Sequence, residues 1–247
     1  VMLSSDGWMT LYLPTYDGLY KNLYIIDSTD RVHEAERAVW DKQSGFLYIK
    51  IKNIQFNKAV EFVEDTSVVD DIFVFQDENW YHTNILYPVV SGKIPHADSA
   101  FIRQYTLGTN FKTGLIAINN QGRVVGFISE NNSLIPAFNI TRVLDRVLSG
   151  QVITYDSLGV DGWFSEEQQV FTQPGQVAQE SIEGFFVANI WSVNSQLRKG
   201  DIITEINNRV VTPDNLWYTI DNASSVAVKI LRNGKVLELD LKVVQTK

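Results

Sequence analysis

Residues 107–127, LGTNFKTGLIAINNQGRVVGF, constrain the fold more than any other part of the chain. Two short apolar runs, Leu115-Ile116-Ala117-Ile118 and Val124-Val125-Gly126-Phe127, flank Asn119-Asn120-Gln121-Gly122. Asn and Gly tolerate positive φ, so the middle reads as a turn. Apolar runs this short, closed by turn residues, suit strands rather than helices, and the segment predicts a β-hairpin. Gly108, Asn110 and Gly114 place a tight loop at its mouth. A chain organised on such hairpins stacks antiparallel sheets.

The rest of the chain repeats the pattern. Val1-Met2-Leu3, Ser4-Ser5-Asp6-Gly7 and Trp8-Met9-Thr10-Leu11-Tyr12-Leu13 read as strand, turn and strand. Further strands are expected at 24–26, 35–40 and 46–51, around 60–62, at 72–75 and at 85–90, with Pro88 marking an edge or a bulge. Ile140, Val143, Leu144, Val147 and Leu148 instead follow helical spacing, with Asn139 as N-cap and Gly150 as C-cap. A domain boundary is set at this helix, giving domains 1–150 and 151–247. The second reads as β-rich, with a strand at 184–190, a short helix opened by Thr212-Pro213-Asp214 and running through Leu216 and Ile220, and a closing hairpin on Asn233-Gly234.

Composition excludes several functions. Net charge is −8 with a sequence pI near 4.9, and Lys and Arg form no runs, so nucleic acid is not an expected partner. Cysteine is absent, which removes disulfides, thiolate nucleophiles and thiolate zinc sites. His33, His82 and His96 stand in separate segments without metal-ligand spacing, and no metal or cofactor is expected. No apolar run approaches the ~18 residues that cross a bilayer. Val1 falls inside strand-like sequence, so a preceding part is expected, and any membrane anchor would lie there.

The hairpin segment resembles the active-site segment of trypsin-like serine proteases of the HtrA/Deg family. There Gly-Asn-Ser-Gly-Gly-Pro-Leu leads into an apolar strand, an Asp-Gly or Asn-Gly turn, and Val-Ile-Gly. On that pattern Asn110-Phe111-Lys112-Thr113-Gly114 is the nucleophile loop, with Lys112 in place of the serine. Asp6-Gly7-Trp8 resembles the family's first strand turn, and counting from it puts the histidine position on Pro14. Asp41 matches the first Asp of an Asp-x-x-x-Asp-Leu-Ala pattern, and the second falls on Gly45. The resemblance therefore implies a chymotrypsin/trypsin-like double β-barrel whose triad positions read Pro14, Gly45 and Lys112. Serine acylation needs a hydroxyl, a base in reach and a group orienting that base. None stands at these positions, so the domain is expected to be inactive, with Phe111 filling the former cleft.

Leu197-Arg198-Lys199-Gly200-Asp201-Ile202-Ile203-Thr204-Glu205-Ile206-Asn207-Asn208 resembles the Leu-x-x-Gly-Asp-x-Ile-x-x-Val-Asn-Gly segment of PDZ domains, and Ser157-Leu158-Gly159-Val160 resembles their carboxylate-binding loop. The resemblance implies that C-terminal or extended peptides of partner proteins add as a strand beside residues 161–164. Leu158, Gly159, Val160, Trp163, Leu216 and Ile220 would form that site.

A mainly β pseudoprotease is the reading these resemblances imply: a protease-fold domain followed by a PDZ domain, binding peptides as a scaffold or regulator in the bacterial cell envelope. Assembly as a homo-oligomer, or as a hetero-oligomer with HtrA-type relatives, is part of the same implication. Two other readings make distinct forecasts. A hydrolase using Lys112 or Thr113 requires His82 or His96 within hydrogen-bond distance of one of them. An architectural envelope protein requires Trp163 buried against Leu216.

Overall fold

The computed structural model describes residues 1–15, 23–27, 29–55, 58–63, 71–88, 96–97, 104–164, 183–192, 196–213 and 215–246. These residues form two compact units. The first holds 1–89 and 104–153, and the second holds 90–103 and 154–247.

In the first unit, β1 (Trp8–Tyr12), β2 (Tyr24–Ile26), β3 (Val32–Asp41) and β4 (Phe46–Ile51) make a four-stranded sheet in the order β1-β4-β3-β2. The expected N-terminal strand at residues 1–3 is reduced to a bridge between Met2 and Met9. Asp41 is buried and accepts bonds from the Ser44 hydroxyl and the Gln43 amide, which closes the β3–β4 turn. His33 sits 2.9 Å from Asp27, whose carboxyl is held well below the usual carboxylate range by that imidazole and by Thr29. The histidine is accordingly a partly buried strand residue, paired with the turn that precedes β3.

The next strands are β5 (Ile72–Gln76), β6 (Asn79–Thr83) and β7 (Ile85–Pro88), then β8 (His96–Ala97) and β9 (Tyr105–Leu107), then β10 (Ile116–Ile118), β11 (Val124–Ile128) and β12 (Ser133–Pro136). All but β8 join one seven-stranded sheet, ordered β6-β5-β10-β11-β12-β9-β7. Pro88 ends the edge strand β7, a position in which proline is tolerated. The β10–β11 hairpin forms as the sequence predicts, with Asn119 side chain and backbone closing the turn and Gly122 at φ +76°. Gly126 lies where β11 meets β12, and a Cβ there would sit 2.2 Å from the Ile135 carbonyl oxygen. The residue is glycine because the neighbouring backbone occupies that space.

The helix α1 (Phe138–Leu148) begins earlier than its apolar spacing suggests. Ala137 is the N-cap and offers no side-chain cap, whereas Asn139 lies inside the first turn and donates to the Pro136 carbonyl. The expected C-terminal signal holds: Gly150 is at φ +75° and donates to Val147, while Gln151 donates to Arg146, so both free carbonyls are satisfied.

The second unit contains β13 (Tyr155–Ser157), β14 (Val160–Phe164), β15 (Phe185–Ile190), β16 (Ile202–Ile206) and β17 (Arg209–Val210), then α2 (Leu216–Ile220). Asn215, rather than Thr212, is the N-cap of α2. The chain ends in β18 (Ser225–Arg232), β19 (Lys235–Lys242) and β20 (Val244–Thr246). Asn233 and Gly234 both take positive φ in the β18–β19 turn, as an Asn-Gly hairpin requires. The main sheet runs β19-β18-β16-β15-β14-β8, and β13 pairs with β20. Asp201 of the Gly200-Asp201 motif is buried and holds the Arg232 guanidinium through two bonds of 2.7 Å, which raises the arginine pKa further. Two strand ends are thereby tied together by a charged pair.

Candidate functional site

Three of the segments singled out in the sequence converge in the first unit. A Cβ built on Gly45 would lie 3.2 Å from Pro14 Cα, and the Leu13 amide donates to the Gly45 carbonyl at 2.7 Å. Gly114 approaches the same place, since a Cβ on it would lie 3.9 Å from the Tyr12 carbonyl oxygen. The fold thus brings the end of the loop before the hairpin beside the segment that leads into Pro14. Neither Pro14 nor Gly45 carries a group able to move a proton.

The loop 108–114 is held by side chains. Asn132, in the β11–β12 turn, accepts from the Phe111 amide at 2.7 Å and donates to Thr109 and to Asn110. From the β5–β6 turn, Gln76 accepts the Lys112 amide at 2.9 Å, and Asp77 accepts the Lys112 ammonium at 2.5 Å. The Lys112 side chain is 65% exposed, so it is hydrated and paired with Asp77 rather than enclosed in an apolar pocket. Thr113 donates its hydroxyl to the Ser129 carbonyl at 3.3 Å. Phe111 packs partly buried on the core formed by Ile72, Val74, Val125 and their neighbours, edge-on to Tyr81 with centroids 6.2 Å apart. An apolar ring therefore fills the loop's inner side, as its size suggests.

Sequence reading missed Gln76, Asp77 and Asn132. Asp77 and Glu78 both adopt positive φ without glycine, so the usual hairpin signal is lacking. His82 is 2.6 Å from Asp71 and stacks near Phe73, and among the described residues no histidine is bonded to Lys112 or Thr113. The side chain of His96 lies outside the described residues.

In the second unit the loop between β13 and β14 is tightly built. Gly159, at φ +81°, donates to the Ser157 hydroxyl oxygen at 2.8 Å and accepts from the Trp191 and Ser192 amides. A Cβ on Gly159 would sit 2.2 Å from Ser192 Cβ, so only glycine fits. Asp156 accepts from the Asn222 amide at 2.8 Å, fixing the loop's approach to the end of α2. Leu158, Val160, Phe164, Leu216 and Ile220 all join one buried core, with Leu216 and Ile220 at 1% and 0% exposure. The side chains read as a peptide pocket are brought together, and they are closed over.

Trp163 is the exception. Consecutive residues in a strand face opposite sides, and Phe164 faces the core that contains Leu216. Trp163 instead stacks on its cross-strand neighbour Phe186 at 5.1 Å, away from the α2 group. The site residues thus divide between the two faces of β14.

No family model matches the sequence. HtrA-like serine proteases of Staphylococcus aureus strains USA300 and N315 are 26% identical over 149 residues, covering 53% of this chain. The chain spans only 19% of the length of these curated relatives. Among solved structures, the HtrA-type protease AlgW with a tripeptide aligns over the whole chain and 88% of its own, with a TM-score of 0.66 at 16% identity. AlgW with a decapeptide covers the whole chain and 82% of its own at TM-score 0.62 and 15% identity, and a serine endoprotease from Yersinia pestis covers the whole chain and 88% of its own at TM-score 0.56 and 15% identity. The fold is that of HtrA-type proteases. Within this HtrA-type fold, the 12–14 segment meets the β3–β4 turn at Gly45 and the end of the 108–114 loop at Gly114. No described helix is long and apolar enough to cross a membrane.

Proposed function

We propose that the chain is a catalytically inactive HtrA-type protease homologue that binds partner peptides through a PDZ-type second domain. One observation supports the inactive half: the position read as the nucleophile is Lys112, exposed and ion-paired to Asp77, while the positions read as base and orienting acid are the adjacent Pro14 and Gly45. A base, its orienting acid and a hydroxyl are the minimum for serine acylation. Three such positions without them leave a protease scaffold. The binding half is supported by the glycine loop at 157–160 opening onto β14, and by AlgW having been solved with peptides. A strand added to β14 gains main-chain bonds, and side-chain pockets add selectivity. Oligomerisation with HtrA-type relatives and residence in the bacterial cell envelope belong to the same reading.

Titration against a library of C-terminal peptides, with casein hydrolysis run in parallel, tests it. Binding of apolar C-termini that is lost in Gly159→Asp, with no casein cleavage, is the expected result. Circular dichroism of the variant checks that its sheet persists. Cleavage abolished by Lys112→Ala would overturn the inactive assignment.

The burial of Leu216 and Ile220 favours a second reading, in which the second domain is closed and architectural, although Trp163 stacks on Phe186 and not against Leu216 as that reading requires. Failure of every peptide to bind, with the fold intact, would select that reading.

A further inference from the structure

The outer edge of β14 is the place where a peptide strand would add, and it is already paired. β8 (His96–Ala97) runs antiparallel to it, with Ala97 opposite Asp161 and His96 opposite Gly162. These residues come from the connection between β7, ending at Pro88, and β9, beginning at Tyr105, both of which belong to the other unit's sheet. The chain leaves its first unit to give one strand to the second, then returns.

We propose that β8 is a pseudoligand in cis, which holds the β14 edge closed until an extended peptide displaces it. The inference rests on the reading of β14 as a peptide-binding edge, and deepens it by naming what the peptide must compete with. Three features support it. An exposed strand edge presents unpaired N–H and C=O groups, and covering it with a short strand is a common protection. β8 spans two residue pairs whereas β14 has five residues, so a longer partner strand makes more ladder bonds than the one it replaces. The apolar side chains beside the edge are also closed, with Leu216 and Ile220 in the core. The covered backbone and the closed pocket are one consistent state. A tethered competitor lowers apparent affinity by the fraction of open molecules. Tethering through short connections supplies an effective concentration on the order of millimolar, so even a two-pair contact competes. An internal strand also shows that the edge receives a segment whose chain continues past both ends, so internal extended peptides are ligands of the same class.

The test uses the full chain and the double variant His96→Pro/Ala97→Pro, since proline cannot donate to a ladder. A second variant replaces 93–100 with a Gly-Ser tract of equal length, in case the prolines disturb neighbouring folding. Hydrogen exchange of the 160–164 amides reads the edge directly. Affinity for a fluorescein-labelled apolar C-terminal peptide reads the competition, and the synthetic peptide KIPHADSA (residues 93–100) supplied in trans is the second probe. The expected result is faster exchange at β14 in both variants, with about tenfold tighter peptide binding and restored protection when KIPHADSA is added in excess. Unchanged exchange in both variants would overturn the pseudoligand and leave the peptide-binding reading standing. Faster exchange with no peptide bound by either variant would overturn both.

Discussion

The loop at 108–114 and the loop at 157–160 are both short turns before a strand, yet side chains and close backbone approach hold them in different proportions. Asn132, Gln76 and Asp77 hold the first with side-chain bonds, and its Gly114, at φ +84°, has free space around its α-carbon. The second is held by backbone bonds from Trp191 and Ser192 together with the Ser157 hydroxyl and the Asp156 carboxylate, and Gly159 has no room for a single methyl group. A loop clamped by side chains can lose its reactive groups and keep its shape, because its shape never depended on them. A loop defined by close backbone approach resists substitution whatever its role.

That contrast orders the expected effects of mutation. The largest falls on the pair that organises the second unit: Asp201→Ala leaves Arg232 without its buried partner and is expected to cost about 3 kcal/mol in urea unfolding. Gly159→Ala meets both the φ penalty and the Ser192 contact, and about 2–3 kcal/mol is expected, visible as raised exchange across β13 and β14. The first loop should respond less. Asn132→Ala removes three bonds from a half-buried position and should cost roughly 1–2 kcal/mol, with Phe111 fluorescence-silent but its amide newly exchangeable by NMR. Gly114→Ala carries the φ penalty alone, about 1 kcal/mol, so a loss equal to that of Gly159→Ala would break the comparison. Lys112→Ala is the smallest. An exposed ion pair contributes at most about 0.5–1 kcal/mol, and the difference should vanish in 1 M salt because screening removes it.

Legibility in the sequence followed the range of the interaction. The β10–β11 hairpin and the β18–β19 hairpin were readable because their turns are written in adjacent residues, Asn119 to Gly122 and Asn233-Gly234. The end of α1 at Gly150 was readable for the same reason, whereas its start was not, since Ala137 caps without a side-chain signal. β6 was missed although Trp80 and Tyr81 favour strands, because Asp77 and Glu78 make its turn without glycine. The converging positions Pro14 and Gly45 were located by motif, and only coordinates show them in contact with each other. Closure of Leu216 and Ile220 could not be read, because both an open pocket and a filled core call for the same apolar residues. β8 was invisible: two residues after a proline carry no alternation, and their pairing partner lies far along the chain. The expected strand residues 89–90 before it lie outside the described residues.

The pairing of β8 also sets an order of events during synthesis. His96 and Ala97 leave the ribosome before Asp161 and Gly162 exist, and roughly 60 further residues must be added at about 5–20 per second before the partner strand arrives. For several seconds the nascent first unit carries a segment whose final home is untranslated. A chain stopped near the end of α1 never receives that home, so cutting at the helix makes a fragment with a stray strand rather than an isolated domain.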